Sequence, residues 1–395
     1  MENRKVIYII LASLGILIFI LAVIFGLKKP EKPKNTQKQI EIKPITIFGT
    51  LEPEKFQLIS TDLLKINYFY FSENEIYQKF LESLAKGEEP DALLISDKIF
   101  NIFQDKINPI LSSNIDIFDF LKNTYNKDGN LLAYPVFVDP IVFVANKKMF
   151  LSLGILQIPK TFDELNEFVK NIKLILKERS KDIGIINLGT FSNNEFAIDI
   201  LTLFALNFGA ESKDIFLNYP NEWTKAINYY FSFSDPQDPN YSFNENFPNV
   251  IESFAQEKLI TALIPLSSLQ KIKNLNPSVE FLISSPPTKD ILNRKSLFNS
   301  YLLILPKVSK NKNDVLKFIS IIYNYPQKII NAGYLPPRKG NYDLGEINDL
   351  ISKEILVARS IIWPKRELIE NAIYKAKVEL SYNKDVGKTF IENFK

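Results

Sequence analysis

Histidine and cysteine are both missing from the 395 residues. That removes much of the chemistry a chain of this length could carry. Without His there is no Ser-His-Asp or Cys-His nucleophile, and nearly every zinc site is lost. Without Cys there is no disulfide and no thiolate. Two reactive patterns remain. Ser83-x-x-Lys86 has Ser-Lys nucleophile spacing, but it lies on an amphipathic helical segment and the companion motifs of penicillin-binding enzymes are absent. Gly387-Lys388-Thr389 has the end of a phosphate-loop pattern, yet Tyr382 stands where that loop needs its first Gly. Asp and Glu are plentiful enough for the paired carboxylates of glycoside hydrolysis, which depend on separation in space. Recognition of a small ligand by a few polar groups and aromatic faces suits this inventory better than covalent catalysis.

The elements that would position such groups follow from periodicity. Residues 45–48, 66–71 and 91–95 read as strands, with a helix at 76–85 that places Ile76, Phe80, Leu81 and Leu84 on one face. Strand, helix, strand at this spacing is a βαβ unit, and repeated units give an α/β layered domain. Asp128-Gly129 is a tight strand-joining turn. Two apolar runs follow, 131–137 and 141–145, separated by the Asp139-Pro140 step. A short helix at 147–153 stops near Gly154. Thr161-x-x-Glu164 is a capping box that opens a helix carrying Leu165, Phe168, Val169, Ile172 and Ile175. Strands are predicted at 184–188, 259–265, 281–284 and 300–305. Helices are predicted at 196–208, 223–231, 250–256 and 314–323, and the chain after Asp349 is mostly helical.

The N-terminus is of a different kind. Residues 6–27 carry no charge over 22 positions, close to what crosses the hydrocarbon core. A cleaved signal peptide would have a shorter apolar region and end in small residues. This run ends Ala-Val-Ile-Phe-Gly-Leu, so an uncleaved membrane anchor is expected. Residues 28–44 are Lys-rich with three prolines, which predicts an extended tether. Arg4 and Lys5 precede the anchor, while Lys28, Lys29, Lys32, Lys34 and Lys38 follow it. Taken alone, that asymmetry would keep the large domain in the cytoplasm. The net charge is +3, most of it from the tether, so no nucleic-acid footprint is indicated.

In order, these elements resemble a known family. The run through residues 128–164 is similar to family 1 extracellular solute-binding proteins, the sugar-type receptors of ABC importers to which the maltose-binding protein belongs. Three later pieces match in the same order: FAQEKLITALIPLSS from Phe254, PKVSKNKNDVLKFI from Pro306 and GYLPPRKG from Gly333. The family's Gly is Glu257 here, its Met is Leu263, and its Trp in a Tyr-Ser-Trp-Asn segment is Phe243. These departures bear on ligand class more than on fold.

The resemblance implies two α/β lobes around a ligand cleft and hinge, after one N-terminal membrane helix. Lobe 1 is expected at residues 45–138 with 299–338, and lobe 2 at 139–298 with 339–395. It also implies a monomeric, membrane-tethered receptor facing outward, which closes on a sugar-like solute and delivers it to an ABC permease. No metal or cofactor is implied. Two alternatives share the reading: a non-transport surface receptor or scaffold of the same fold, and an anchored carboxylate-based glycoside hydrolase. Matching family cleft positions nominates eleven ligand-binding residues. Thr50 and Glu52 follow the first strand. Asp139 is otherwise a turn residue before Pro140. Tyr241 and Phe243 are otherwise core, and Ser267 and Ser268 otherwise cap a helix. Asn299 and Tyr301 lie where the chain returns to lobe 1. Arg338 could meet an anion or brace the hinge, and Trp363 could line the cleft or pack between helices.

Overall fold

The computed structural model describes residues 14–17, 44–111, 116–178, 183–340, 342–380 and 386–394. The chain divides into two compact units, Met1–Lys43 and Pro44–Lys395. In the first unit, residues 14–17 are helical. The rest of the expected anchor at 6–27, and the tether up to residue 43, lie outside the described residues. Among the described residues no helix is long and apolar enough to cross a membrane.

The second unit is organised by one nine-stranded sheet. Its strands in chain order are β1 (Ile45–Gly49), β2 (Ile66–Tyr70), β3 (Ala92–Ser96), β4 (Tyr134–Asn146), β5 (Gly184–Ile186), β6 (Leu259–Pro265), β7 (Phe281–Ser284), β8 (Ser296–Ile304) and β9 (Ala358–Arg359). The spatial order is β2-β1-β3-β8-β4-β6-β5, with β7 on β4 and β9 on β8. β3, β4 and β6 are buried along their whole length. Their near-continuous apolar runs are what a sheet covered on both faces requires. β1 pairs in parallel with β2 and β3, and the helix Ile76–Lys86 supplies the connection between β2 and β3. That helix stops at Gly87, which adopts φ 71° as a left-handed C-terminal cap.

β4 joins the two halves of the sheet. Its first part, Tyr134 to Pro140, pairs with β8, and its second part, Ile141 to Ala145, pairs with β6. The sequence predicts a break at Asp139-Pro140, and the structure corrects it: one 13-residue strand runs through. Pro140 stands where β4 changes partner, so its missing N–H interrupts no continuous ladder. Its carbonyl still accepts the Leu266 N–H at 2.9 Å. A bulge opposite Tyr301 and Leu302 resets the alternation. Tyr134, Val136 and Phe137 therefore enter one core, and Val138, Val142 and Val144 another. The third core lies on the second half of the sheet, around Phe143, Phe204, Trp223 and Trp363.

Local signals behave as their chemistry dictates. Asp128 and Gly129 both take positive φ, 53° and 81°, and join the short strands Asn126–Lys127 and Asn130–Leu131. The Thr161 hydroxyl accepts the Glu164 N–H at 3.1 Å, and the Glu164 carboxylate accepts the Lys160 N–H at 2.7 Å. These bonds fix the start of the helix Phe162–Glu178. Gly387 lies in the helix Val386–Glu392, against Pro220–Ser232. A Cβ there would meet the Pro220 carbonyl oxygen at 1.8 Å. Gly387 thus serves close helix packing, not a phosphate loop.

Candidate functional site

Open α/β sheets present ligand groups at the carboxyl ends of their parallel strands. Here Thr50 and Glu52 follow β1, Glu73 follows β2, and Asp97 and Lys98 follow β3. The Thr50 hydroxyl accepts the Ser96 N–H at 3.2 Å, which ties the first of these loops to the third. The second half of the sheet answers with Ser267 after β6, Lys271 on the helix Ser268–Leu275, and Asp199 on the helix Ala197–Asn207.

Two ion pairs span the seam between the halves. Lys98 donates to Asp199 at 2.7 Å, and Lys271 donates to Glu52 at 3.0 Å. The Asp199 side chain has no solvent exposure. Its other oxygen accepts the Asn299 amide at 3.2 Å. The Lys98 ammonium also lies 5.7 Å from the centre of the Trp363 ring. Burial works against the Lys98 charge, but the attraction and hydrogen bond of Asp199, together with Glu73 and Asp97, raise its pKa. Burial likewise pushes Glu52 up, yet Lys271 and its hydrogen bonds bring it below the ordinary carboxylate value. Asp97 is buried, accepts the Ser300 N–H at 2.8 Å, and is pushed well up by desolvation.

The hinge strand carries its own polar joint. Asp139 sits directly opposite Asn299 across the β4–β8 ladder. Its oxygens accept the Ser267 N–H at 2.9 Å and the Ser267 hydroxyl at 2.5 Å. Ser267 holds the N-cap position of its helix, but its hydroxyl bonds the carboxylate in place of capping. Leu335 exchanges both backbone hydrogen bonds with Val138 at 2.9 Å, which clamps the same point of β4. Lys55 then donates to the Tyr334 hydroxyl at 2.9 Å.

The structure brings Thr50, Glu52, Asp139, Ser267, Asn299, Tyr301 and Trp363 to this seam, and Ser268 is the buried first residue of the adjoining helix. Trp363 is also core: it is 1% exposed and packs 5.8 Å from Phe216. Tyr301 packs between Phe137 and Tyr334. Three nominated residues lie elsewhere. Tyr241 sits under Lys173, and its neighbour Ser242 bonds the edge strand β5. Phe243 is fully buried, stacked on Phe247 and filling the space beside Gly184. Arg338 stands over Tyr323, whose hydroxyl donates to the Pro135 carbonyl at 2.6 Å, so it props β4 from behind.

Lys98, Asp199 and Lys271 fall outside the positions that the family resemblance nominates, as do Lys55, Glu73 and Tyr334. Asp199 had a signal: it is the one acid in the apolar stretch FAIDILTLFALNF. A charge in such a helix needs a buried partner. Lys98 and Glu73 had the position after a strand end.

Several buried polar atoms here have no protein partner among the described residues: Glu52 Oε2, Asn299 Oδ1 and Trp363 Nε1. Among the described residues no group of three or more acidic side chains could hold a metal ion.

The chain matches known folds along most of its length. An ABC substrate-binding protein from Listeria monocytogenes, solved with cycloalternan, superposes with a TM-score of 0.70 at 12% identity, covering 89% of this chain and 96% of that one. The sugar-binding protein MalE from Xanthomonas citri gives 0.70 at 16% identity, over 88% and 95%. UgpB from Mycobacterium tuberculosis, solved with glycerophosphocholine, gives 0.67 at 18% identity, over 89% and 96%. These likenesses establish a two-lobed α/β fold of the periplasmic-binding-protein type. No match was found among curated proteins. The family model for bacterial extracellular solute-binding proteins matches residues 61–328, more than half of the chain, and the protein belongs to that family.

Proposed function

We propose that the protein captures a small solute, a carbohydrate, between its two lobes and delivers it to an ABC permease. The observation that carries the reading is that Glu52 Oε2, Asn299 Oδ1 and Trp363 Nε1 are buried and unpartnered in residues that adjoin the two ion pairs of the seam. Buried polar atoms without partners cost stability, and a polyhydroxylated ligand would satisfy them. Names of the similar structures support the solute class: cycloalternan for one and sugar binding for another.

In this reading the lobes are residues 45–138 with 299–338 and residues 139–298 with 339–395. Lys98 and Glu52 then belong to lobe 1, and Asp199 and Lys271 to lobe 2. A solute touching both lobes binds the closed arrangement better and shifts the population towards it. The protein acts as a monomer and binds rather than transforms its solute. Residues 6–27 anchor it outside the cytoplasm, and the tether at 28–44 keeps it near the permease.

A thermal-shift screen of mono- and oligosaccharides, polyols, amino acids and short peptides tests this. A carbohydrate hit abolished by Asn299→Ala and Trp363→Ala, in variants that remain folded, is the expected result. A hit confined to amino acids or peptides would refute the carbohydrate reading.

A further inference from the structure

Two ion pairs and one amide tie the halves of the seam directly to each other. Asp199 accepts the Lys98 ammonium at 2.7 Å with one oxygen and the Asn299 amide at 3.2 Å with the other. Lys271 donates to Glu52 at 3.0 Å. With the lobes divided as above, Lys98, Asn299 and Glu52 belong to lobe 1, and Asp199 and Lys271 to lobe 2. Asp199 is fully buried on the largely apolar helix Ala197–Asn207. Among the described residues, both side-chain donors to it come from the opposite lobe. A buried carboxylate stripped of its donors is strongly disfavoured, so closure is what satisfies Asp199. The Lys98 ammonium also lies 5.7 Å from the ring centre of Trp363, another lobe 2 residue, which adds an aromatic face to the same contact. At the rim, Lys271 and Glu52 are half-exposed, where an ion pair is weaker and is screened by salt.

We propose that these contacts are a latch by which the chain draws its own lobes together. The closed arrangement is then well populated before a solute is held, and the solute adds its contacts to an equilibrium already biased towards closure. The latch presupposes the two-lobe reading and deepens it. It also sets the chemistry the solute meets. With its nitrogen committed to Asp199, Asn299 offers only Oδ1, an acceptor, to a solute hydroxyl. The inner pair supplies most of the closing force, and the rim pair makes closure respond to ionic strength.

The test is the distance between the lobes of the full-length protein with no solute added. The chain has no Cys, so spin labels at Asn74→Cys and Ser192→Cys report on that distance alone. Both positions are exposed: Asn74 follows β2, and Ser192 precedes the helix that carries Asp199. Pulsed EPR should give mainly a short distance at about 0.01 M salt, where the Debye length is about 30 Å. Salt at about 1 M, where that length is about 3 Å, should add a longer distance. Lys271→Met should do the same at low salt, and Lys98→Met should add more of it. Lys271→Arg, which keeps the donor and its charge, should stay closed. If Lys98→Met does not fold, the rim variants and the salt series still decide. A long distance dominant in the wild type at low salt would overturn the latch and leave the hinged-receptor reading in place. One unchanged distance in every variant and at every salt concentration would overturn the latch and the hinge motion with it. Opening by Lys98→Met alone would keep the inner latch and remove Lys271 and Glu52 from it. Carbohydrate capture is read separately by the thermal-shift screen, so either reading can fail without the other.

Discussion

Asp139 offers a prediction whose sign and size both come from the structure. The carboxyl is buried at the hinge, and its oxygens accept two hydrogen bonds from Ser267. Burial pushes it up to about 6 from an ordinary 3.8, against the opposing pull of the Ser267 bonds and Lys55. The folded protein therefore holds this proton more tightly than the unfolded chain does. The carboxyl favours folding fully below about pH 4, and that contribution is lost as pH rises through about 6. The difference corresponds to about 3 kcal/mol. Asp139→Asn keeps the geometry: the amide oxygen accepts the Ser267 N–H, and the amide nitrogen donates to the Ser267 oxygen. It carries no charge at any pH. Urea unfolding of wild type and variant at intervals from pH 4 to pH 7 isolates the effect, because other titrating groups cancel in the difference. The variant should gain about 2.4 kcal/mol relative to wild type across that range. A constant difference between the two curves would refute the claim that desolvation dominates at Asp139.

Other outcomes follow from the same contacts. Lys98→Met leaves Asp199 buried with only the Asn299 amide, and should cost about 3 kcal/mol in urea unfolding at neutral pH. Glu257 adopts φ 57° where the family has Gly, and its bond to Lys148 is largely exposed. Glu257→Gly should therefore raise stability by about 0.5–1 kcal/mol, read as a higher unfolding midpoint. Gly387→Ala would force the helix Val386–Glu392 away from Pro220, and should lower stability by about 1–3 kcal/mol in the same assay.

Much of the fold could be read from residue types because periodicity and punctuation agree with the tertiary structure. The capping box at Thr161 and Glu164, the Asp128-Gly129 turn and the apolar β6 segment each specify their element locally. The break expected at Asp139-Pro140 shows where local reasoning ends. Pro140 is tolerated inside β4 only because the neighbouring strand changes there, a fact of sheet order that no window of sequence contains. β8 likewise extends back to Ser296, since its first residues pair with β9, some sixty positions later.

The candidate site was legible in part. Asp139 and Asn299 were nominated from separate motifs, and the β4–β8 register sets them side by side. Tyr241 and Phe243 match a family segment, but here that segment packs beside β5 and fills the core. The partners Lys98, Asp199 and Lys271 come from three distant elements. Their roles depend on ion pairs across the seam, which only the assembled sheet creates.

The most direct test of solute capture at this seam is a calorimetric titration with the carbohydrate that raises the melting temperature most. At 100 times its dissociation constant such a ligand adds about 2.7 kcal/mol of stability, so the screen has ample range to find it. A single site per chain is expected, with binding lost in Asn299→Ala and Trp363→Ala proteins that still fold. Undiminished affinity in both variants, or no heat from any carbohydrate with a folded protein, would contradict it.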